Sequence, residues 1–218
     1  MTGRSRRRLQ LRAPSGSLAG YPSWTLRRTH TLYRAHKAGA NPWWFSSDGS
    51  GRFDLRPPHG TCYLASGAQA AVRERWGQRL LALGYVPRRL AEDTELSQLR
   101  AAKGGRVADL CAADAAGFGV TREIGVTGRY DITQAWAKAF GPSGAQLLGV
   151  RYQPRFSTDA RGWALGLFHD AGGASWPTDP HPHSGSTVAE RLGIQVADLP
   201  TLSALSNALL VPPPPALP

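Results

Sequence analysis

The sequence has few cysteines and no long apolar run, and both absences narrow the kind of protein that it encodes. Its 218 residues include two cysteines, Cys62 and Cys111, and neither has a CxxC partner or a histidine-rich neighbourhood. This pattern excludes a disulfide framework and predicts no metal site. No apolar run approaches the roughly 18 residues that span a bilayer, and the basic start lacks the apolar stretch of a secretory signal. We therefore expect a soluble cytoplasmic protein.

Acidic residues are also scarce, but the resulting charge is unevenly distributed. The formal net charge is +11, with 26 Lys and Arg against 15 Asp and Glu. Five arginines lie within the first dozen residues: Arg4, Arg6, Arg7, Arg8 and Arg12. The basicity is therefore largely a property of the start of the chain, which weakens the case for a nucleic-acid-binding domain.

Composition divides the chain into three parts. Residues 1–25 are rich in Arg, Ser, Gly and Pro and are predicted to be a disordered basic tail. Residues 26–210 have the length expected of one folded domain. Residues 211–218 form a proline-rich tail that cannot join a core.

Strands and helices are predicted in irregular order. LYRAH and TCYLA have strand patterns, and a strand pair is predicted within LLGVRYQPRF and GWALGLF. The helix in DITQAWAKAFG is expected to stop at Gly141. The irregular order predicts an α+β fold with a mixed sheet and flanking helices.

A helix is also predicted from residue 66 to about Leu83. Ser66 and Gln69 have the spacing of a capping box at its start. Its predicted core stripe is Ala68, Val72, Trp76 and Leu80.

Glu74 lies off this core stripe and has no basic neighbour at helical spacing. The positions three and four residues away are Ala70, Ala71, Gly77 and Gln78, a small-residue face that would let another element or a ligand approach. A solvated glutamate with no partner is the alternative reading.

Three further residues extend the pattern around Glu74. Arg52 and Tyr63 precede it at equal intervals, and Arg34 lies in LYRAH. Each alone has an ordinary structural explanation. Together, two arginine forks, an aromatic face and a carboxylate suit an anionic dinucleotide, in which the arginines bind the pyrophosphate and the carboxylate stabilises positive charge on a ribose.

The order of short segments resembles the RES-domain family, toxins of bacterial toxin–antitoxin pairs that act on NAD. The matching segments are LYRAH, NPWWF, GRFDL, TCYLA, AAVRE, DITQAWA, GVRYQPRF and ALGLF, within roughly residues 29–170. The resemblance implies an ADP-ribosyltransferase-like fold and cleavage of the nicotinamide–ribose bond of NAD by hydrolysis or phosphorolysis, or transfer of ADP-ribose to a protein. It also implies a cognate antitoxin as partner, NAD as substrate rather than cofactor, and no metal.

The resemblance also assigns site residues. Arg52, Tyr63 and Glu74 match the family's active-site positions, and Arg34 matches its early arginine. We therefore predict Arg52, Tyr63 and Glu74 as catalytic, and Arg34, Arg52 and Tyr63 as binding NAD. The family serine is expected near RYQPRFS, where Pro154 stands at its place. Ser157 is the nearest replacement and is predicted to bind NAD.

A second candidate for a hydroxyl is Thr133 in DITQAWA. A threonine near the start of a helix is more often a cap than a catalytic group.

The segment from residue 186 to 210 supports an alternative function. STVAERLGIQ, with Thr187 and Glu190 as a capping box, resembles the first half of a helix-turn-helix, and a second helix is expected up to residue 210. That second helix has no Lys or Arg, so it is poorly suited to reading bases, and packing of a helix pair on the domain is favoured. A non-catalytic relative that only binds a partner is the remaining alternative.

Overall fold

The computed structural model describes residues 11–157, 159 and 161–199, and within them the chain forms twelve strands, four α-helices and two 3-10 helices. The strands are β1 (Ser23–Leu26), β2 (Leu32–Lys37), β3 (Trp44–Phe45), β4 (His59–Ala65), β5 (Val86–Pro87), β6 (Thr94–Leu99), β7 (Gly105–Asp109), β8 (Gly149–Tyr152), β9 (Ala164–Asp170), β10 (Gly172–Gly173), β11 (His183–Ser184) and β12 (Val196–Ala197). The helices are α1 (Ala68–Leu83), α2 (Arg88–Glu92), α3 (Tyr130–Phe140) and α4 (Gly185–Arg191), with 3-10 helices at Ala113–Phe118 and Arg122–Gly125.

Eight of these strands form one mixed sheet in the order β1-β7-β8-β9-β4-β2-β6-β11. Neighbouring strands are antiparallel except β7 and β8, which are parallel. The predicted strand pair is confirmed as β8 and β9, and the segments LYRAH and TCYLA lie in β2 and β4. The predicted α+β class with a mixed sheet and flanking helices is confirmed.

Helix α1 packs against the part of the sheet that contains β2 and β4. Val72 and Trp76 are fully buried, and Ala68 and Leu80 are partly buried in the same cluster, so the predicted stripe is correct. The helix ends at Leu83, where Gly84 adopts φ 75° and its N–H donates to Leu80 O. A glycine relieves the strain of this left-handed cap.

The predicted capping box at the start of α1 is wrong. Gly67 is the N-cap and supplies no side chain, while Ser66 Oγ accepts a hydrogen bond from Trp163 N at 2.9 Å. Ser66 therefore links the helix start to the sheet rather than capping the helix. The tertiary partner competes for the same hydroxyl and fixes the entry of α1 beside β9.

Helix α3 packs on a second cluster together with the segment that precedes β1. Trp136 and Phe140 are buried, and the helix ends before Gly141 as predicted. The ring of Tyr21 lies 4.6 Å from that of Phe140, and Trp136 Nε1 donates to Arg12 O at 2.8 Å. Leu11 is buried in the same cluster.

These contacts correct the predicted boundary of the N-terminal tail. Residues 11–25 are not a disordered tail, because Leu11 and Tyr21 fill the core beside α3 and β1 begins at Ser23, where it pairs with β7. Residues 1–10 lie outside the described residues.

The last described elements are β11, α4 and β12. Helix α4 has Ser184 as its N-cap, and Ser184 Oγ accepts from Thr187 N at 3.2 Å, so the predicted capping box of Thr187 and Glu190 is wrong. After α4, β12 pairs with β5. The predicted second helix up to residue 210 and the tail at 211–218 lie outside the described residues.

Neither a membrane-spanning element nor a disulfide is found in the described part of the chain. None of its helices is long and apolar enough to cross a bilayer. Cys62 is buried, Cys111 is exposed, and both are free thiols.

Candidate active site

One cavity of about 600 Å³ lies between α1, the sheet and the loop that precedes β4. Its walls come from β2, β4, the loop at 46–54, the face of α1, the start of α3 and the segment that follows β8. The lining residues with polar or aromatic side chains are Tyr33, Arg34, Ser46, Ser50, Arg52, Asp54, Tyr63, Glu74, Arg75, Gln78, Tyr130, Tyr152, Arg155 and Phe156.

The structure brings four of the five predicted site residues to this cavity. Arg34, Arg52, Tyr63 and Glu74 all line it. Ser157 does not, because it lines a second cavity together with Cys111 and Arg161. The prediction that Ser157 binds in the same cleft is therefore corrected: the turn after Pro154 directs Arg155 and Phe156 into the first cavity and Ser157 into the second.

Glu74 projects from α1 and is half-buried. Its Oε1 accepts a hydrogen bond from Phe156 N at 2.9 Å, so the carboxylate has a backbone partner rather than a basic partner on its own helix. Burial raises the pKa of Glu74, and the Phe156 N–H and the nearby Arg52 charge offset part of this rise. Glu74 therefore presents to the cavity a carboxylate that is held in place and partly shielded from water.

Arg52 is almost fully buried, with 9% of its surface exposed. One guanidinium nitrogen donates to Thr127 O, and the guanidinium lies 5.4 Å from the centre of the Tyr130 ring. Thr127 and Tyr130 thus orient the guanidinium at the cavity wall. A planar, oriented guanidinium is the form that binds phosphate through paired hydrogen bonds.

Tyr63 presents its ring to the cavity, but its hydroxyl is already used. It donates to Asp54 Oδ1 at 2.8 Å and accepts from Phe53 N at 2.8 Å. Burial and the Asp54 charge raise the pKa of Tyr63 well above its ordinary value. The hydroxyl is therefore a structural link to the Arg52 loop, and only the ring is available to a ligand.

Asp54, the last residue of this loop, is a site residue that sequence reasoning missed. Its Oδ2 accepts from Gly51 N at 2.9 Å, and burial raises its pKa. A Cβ on Gly51 would lie 2.3 Å from Asp54 Oδ1 and 2.5 Å from the Tyr63 hydroxyl oxygen. Glycine is therefore required at position 51 by close packing, and the sequence signal was the GRFD segment itself.

Arg34 enters the cavity wall from β2. One guanidinium nitrogen donates to Trp44 O at 3.0 Å and to Cys62 Sγ at 2.9 Å, and it also donates to Pro42 O. Arg34 therefore holds the chain at Pro42 and Trp44 by hydrogen bonds and also lines the cavity.

Two arginines that were not predicted also line the cavity. Arg75 donates from Nε to Thr94 Oγ1 at 3.0 Å and from a terminal nitrogen to Asp93 O. Arg155 is exposed and its guanidinium lies 5.2 Å from the centre of the Phe156 ring. Arg155 lies within the segment GVRYQPRF, and Arg75 directly follows the segment AAVRE.

The balance of charge in the cavity is positive. Four arginines, at positions 34, 52, 75 and 155, face two carboxylates, Asp54 and Glu74. Burial raises the pKa values of both carboxylates. Among the described residues no group of three or more His, Cys, Asp or Glu side chains is placed to hold a metal ion. An anionic organic molecule is therefore the kind of ligand that the cavity fits.

Comparison with known proteins identifies a family and a solved structure of similar fold. A family model described as the RES domain matches residues 31–184. The fold is similar to a chain in the crystal structure of the M. tuberculosis MbcT–MbcA toxin–antitoxin complex, with a TM-score of 0.54 and 18% sequence identity over 78% of this chain and 90% of that chain. No curated protein matches this chain.

Proposed function

Because this chain belongs to the RES-domain family, we propose that it is the toxin of a toxin–antitoxin pair and that it cleaves the nicotinamide–ribose bond of NAD. The observation that carries the proposal is the meeting of Arg34, Arg52, Tyr63 and Glu74 at one cavity of about 600 Å³. These side chains come from four separate elements, and each matches a motif by which the chain resembles NAD-cleaving toxins.

The arginines account for binding. NAD carries a pyrophosphate, and the excess of positive side chains in the cavity favours a doubly negative group. Arg52 offers the fixed guanidinium plane, while Arg155 is exposed and free to turn toward a phosphate. The rings of Tyr63 and Tyr130 form flat apolar surfaces against which the substrate's rings or riboses lie.

Glu74 accounts for the rate. Nicotinamide leaves with its bonding electrons and becomes neutral, so positive charge builds on the ribose. An ionised carboxylate beside that ribose stabilises the transition state more than the ground state, which raises kcat rather than only binding. Two unit charges about 4 Å apart interact by roughly 4 kcal/mol at an effective dielectric near 20, enough for at least a hundredfold in rate.

The group that captures the ribose carbon is left open by the proposal. Water gives hydrolysis, phosphate gives phosphorolysis, and a protein side chain gives ADP-ribosyl transfer. All three reactions begin with the same loss of nicotinamide. All three use the side chains of Arg52, Tyr63 and Glu74. No metal is needed for this chemistry, so a chelator such as EDTA should leave turnover unchanged.

A direct assay tests the proposal. Purified protein is incubated with NAD, with and without phosphate, and free nicotinamide is measured by chromatography. Mass spectrometry of the products then separates ADP-ribose, ADP-ribose 1-phosphate and ADP-ribosylated protein. Absence of free nicotinamide under all conditions, from protein with a normal circular dichroism spectrum, would remove the enzymatic proposal.

The toxin and its partner are tested in cells. We propose that the protein acts in the cytoplasm and that a cognate antitoxin covers the cavity. The chain stays net positive without the five arginines of its first dozen residues, which favours an acidic partner surface. Induced expression of the chain alone should stop growth, whereas normal growth with abundant folded protein would contradict the toxin assignment without excluding NAD binding.

A further inference from the structure

The first turns of α3 contact the loop that carries Arg52 at several backbone positions. Gln134 Nε2 donates to Gly49 O at 2.9 Å and to Gly51 O at 2.9 Å. Thr133 Oγ1 donates to Arg52 O. Three carbonyls of the loop are therefore held by two consecutive side chains of one helix.

The Arg52 side chain is held by the same region. Its guanidinium donates to Thr127 O and lies over the Tyr130 ring, both of which are just before or at the start of α3. The backbone and the guanidinium of Arg52 are thus held by α3 and by the residues directly before it. A shift of the loop relative to α3 would therefore displace both the backbone and the guanidinium of Arg52.

The loop needs such an external tie because of its composition. Gly49 adopts φ 82°, and Gly51 follows after a single serine. Glycines lose more conformational entropy on ordering than other residues, so a Gly-Ser-Gly segment does not hold one conformation by itself. Hydrogen bonds from outside the loop restrict it to the conformation that presents Arg52 to the cavity.

We infer that Gln134 is a positioning residue for Arg52, and that its side-chain amide, by bridging the carbonyls of Gly49 and Gly51, sets the geometry in which the guanidinium meets an anionic substrate. The catalytic part of this inference rests on the proposed function. Gln134 uses both amide hydrogens and is half-buried at the edge of the loop. Thr133 is fully buried and also bonds Tyr130 O within the helix, so its removal would alter the core as well.

The chemistry of the bridge gives a sharp substitution. Gln134→Glu keeps the size of the side chain but places a carboxylate oxygen against two carbonyl oxygens, which turns two attractions into repulsions. Gln134→Lys restores N–H donors on a side chain that is one atom longer. Gln195→Glu, at an exposed glutamine near β12, is the matched control for the change of charge.

Two measurements are made on each variant. Hydrogen exchange followed by mass spectrometry reports on peptides covering residues 49–54, where Gly51 N and Phe53 N are hydrogen-bonded in the native protein. Nicotinamide release from NAD gives KM and kcat. The double variant with Arg52→Lys completes a cycle that reveals whether Gln134 acts through Arg52.

The inference predicts faster exchange in residues 49–54 of Gln134→Glu, with little change elsewhere in the chain. It also predicts a KM for NAD about tenfold to a hundredfold higher, partial recovery in Gln134→Lys, and little added effect in the Arg52→Lys background. Should Gln134→Glu not fold, Gln134→Met removes the donors without adding charge, and the same outcomes are expected of it.

The inference and the proposed function fail in different ways. Unchanged exchange at 49–54 in Gln134→Glu overturns the positioning role whatever the activity. If the KM increase of the double variant equals the product of the two single-variant increases, Gln134 does not act through Arg52. Faster exchange in the variant, combined with no nicotinamide release by the native protein, supports the positioning role and removes the proposed function.

Discussion

The ring of Phe156 lies directly on Gly77, so that a Cβ on Gly77 would stand 2.2 Å from Phe156 Cγ. The small-residue face of α1 therefore receives the segment after β8 and not only a ligand. This close approach brings the Phe156 N–H to Glu74 Oε1. A glycine on one turn of the helix thus determines where the carboxylate of the preceding turn is held.

The first prediction follows from this contact. Gly77→Ala should force Phe156 away from α1, break its hydrogen bond to Glu74, and lower the free energy of unfolding by about 1–3 kcal/mol. Nicotinamide release should fall more than tenfold. Gly117→Ala is the control, because its Cβ meets nothing within 4 Å, and it should be neutral in both assays. A fully active Gly77→Ala would show that the hydrogen bond from Phe156 is dispensable.

The second prediction concerns the charge of Glu74. Glu74→Gln retains the size and one acceptor oxygen for the Phe156 N–H, so we expect normal folding and NAD binding but at least about a hundredfold loss of nicotinamide release and loss of toxicity. Binding is measured by calorimetry and release by chromatography. Glu92→Gln, at an exposed glutamate of α2, should behave as the native protein. Full activity of folded Glu74→Gln would refute the reading of this cavity as an NAD-cleaving site.

The third prediction is that activity rises with pH while the contribution of Glu74 to stability falls. Burial raises the pKa of Glu74 above its ordinary 4.5. Since the ionised form is the active one, kcat/KM should rise with pH through that raised pKa, so the acid limb lies above 4.5 and disappears in Glu74→Gln. An acid limb at or below the ordinary value would assign it to another group.

Stability should change in the other direction over the same range. A raised pKa in the folded state means that folding favours the protonated form, so the contribution of Glu74 to the free energy of unfolding is complete below the unfolded pKa and is lost as pH rises through the folded pKa. Urea titrations at several pH values should therefore show the native protein losing stability relative to Glu74→Gln as pH increases.

The fourth prediction separates the ring of Tyr63 from its hydroxyl. Tyr63→Phe leaves the ring in the cavity but removes the acceptor of Phe53 N and the donor to Asp54. A buried donor and a buried carboxylate lose their partner, so the free energy of unfolding should fall by about 1–3 kcal/mol. Tyr85→Phe serves as the control. A large loss of kcat without any loss of stability would instead indicate that the hydroxyl takes part in proton transfer.

The fifth prediction concerns Arg52. Arg52→Lys keeps the positive charge but loses the planar group that binds Thr127 O and lies over Tyr130. We expect weaker NAD binding, with KM about tenfold higher, because a lysine cannot reproduce a bidentate contact. Arg100→Lys, at an exposed arginine, is the control. Unchanged binding and turnover would make Arg52 a structural residue only.

The elements that the sequence predicted are those with strong local patterns. Val72 and Trp76 repeat at helical spacing, and TCYLA lies in a strand, so α1 and β4 were predictable from neighbours within a few residues. The placement of Arg52, Tyr63 and Glu74 followed from matching several short segments in order. The matched segments predicted that these three residues share one site, but not which contacts hold each side chain there.

The contacts that the sequence did not predict join residues distant along the chain. The Phe156 N–H donates to Glu74, and the Gln134 amide donates to Gly49 O in the loop at 46–54. No local sequence pattern predicts either hydrogen bond. Ser157 was misplaced because one residue of difference after a turn changes the cavity that a side chain faces. Residues 11–25 were misread because composition does not reveal that Leu11 and Tyr21 have a place to pack beside α3.

The order of strands in the sheet has a consequence for biosynthesis. Strand β4, which carries Tyr63, pairs with β9, so that Cys62 lies opposite Leu167, and the cavity wall also needs Tyr152, Arg155 and Phe156. Such distant pairings make folding slow and prevent the site from closing on a partial chain. Arg52, Tyr63 and Glu74 therefore leave the ribosome well before the segments that complete the cavity wall, and the cavity is complete only once Asp170 has emerged.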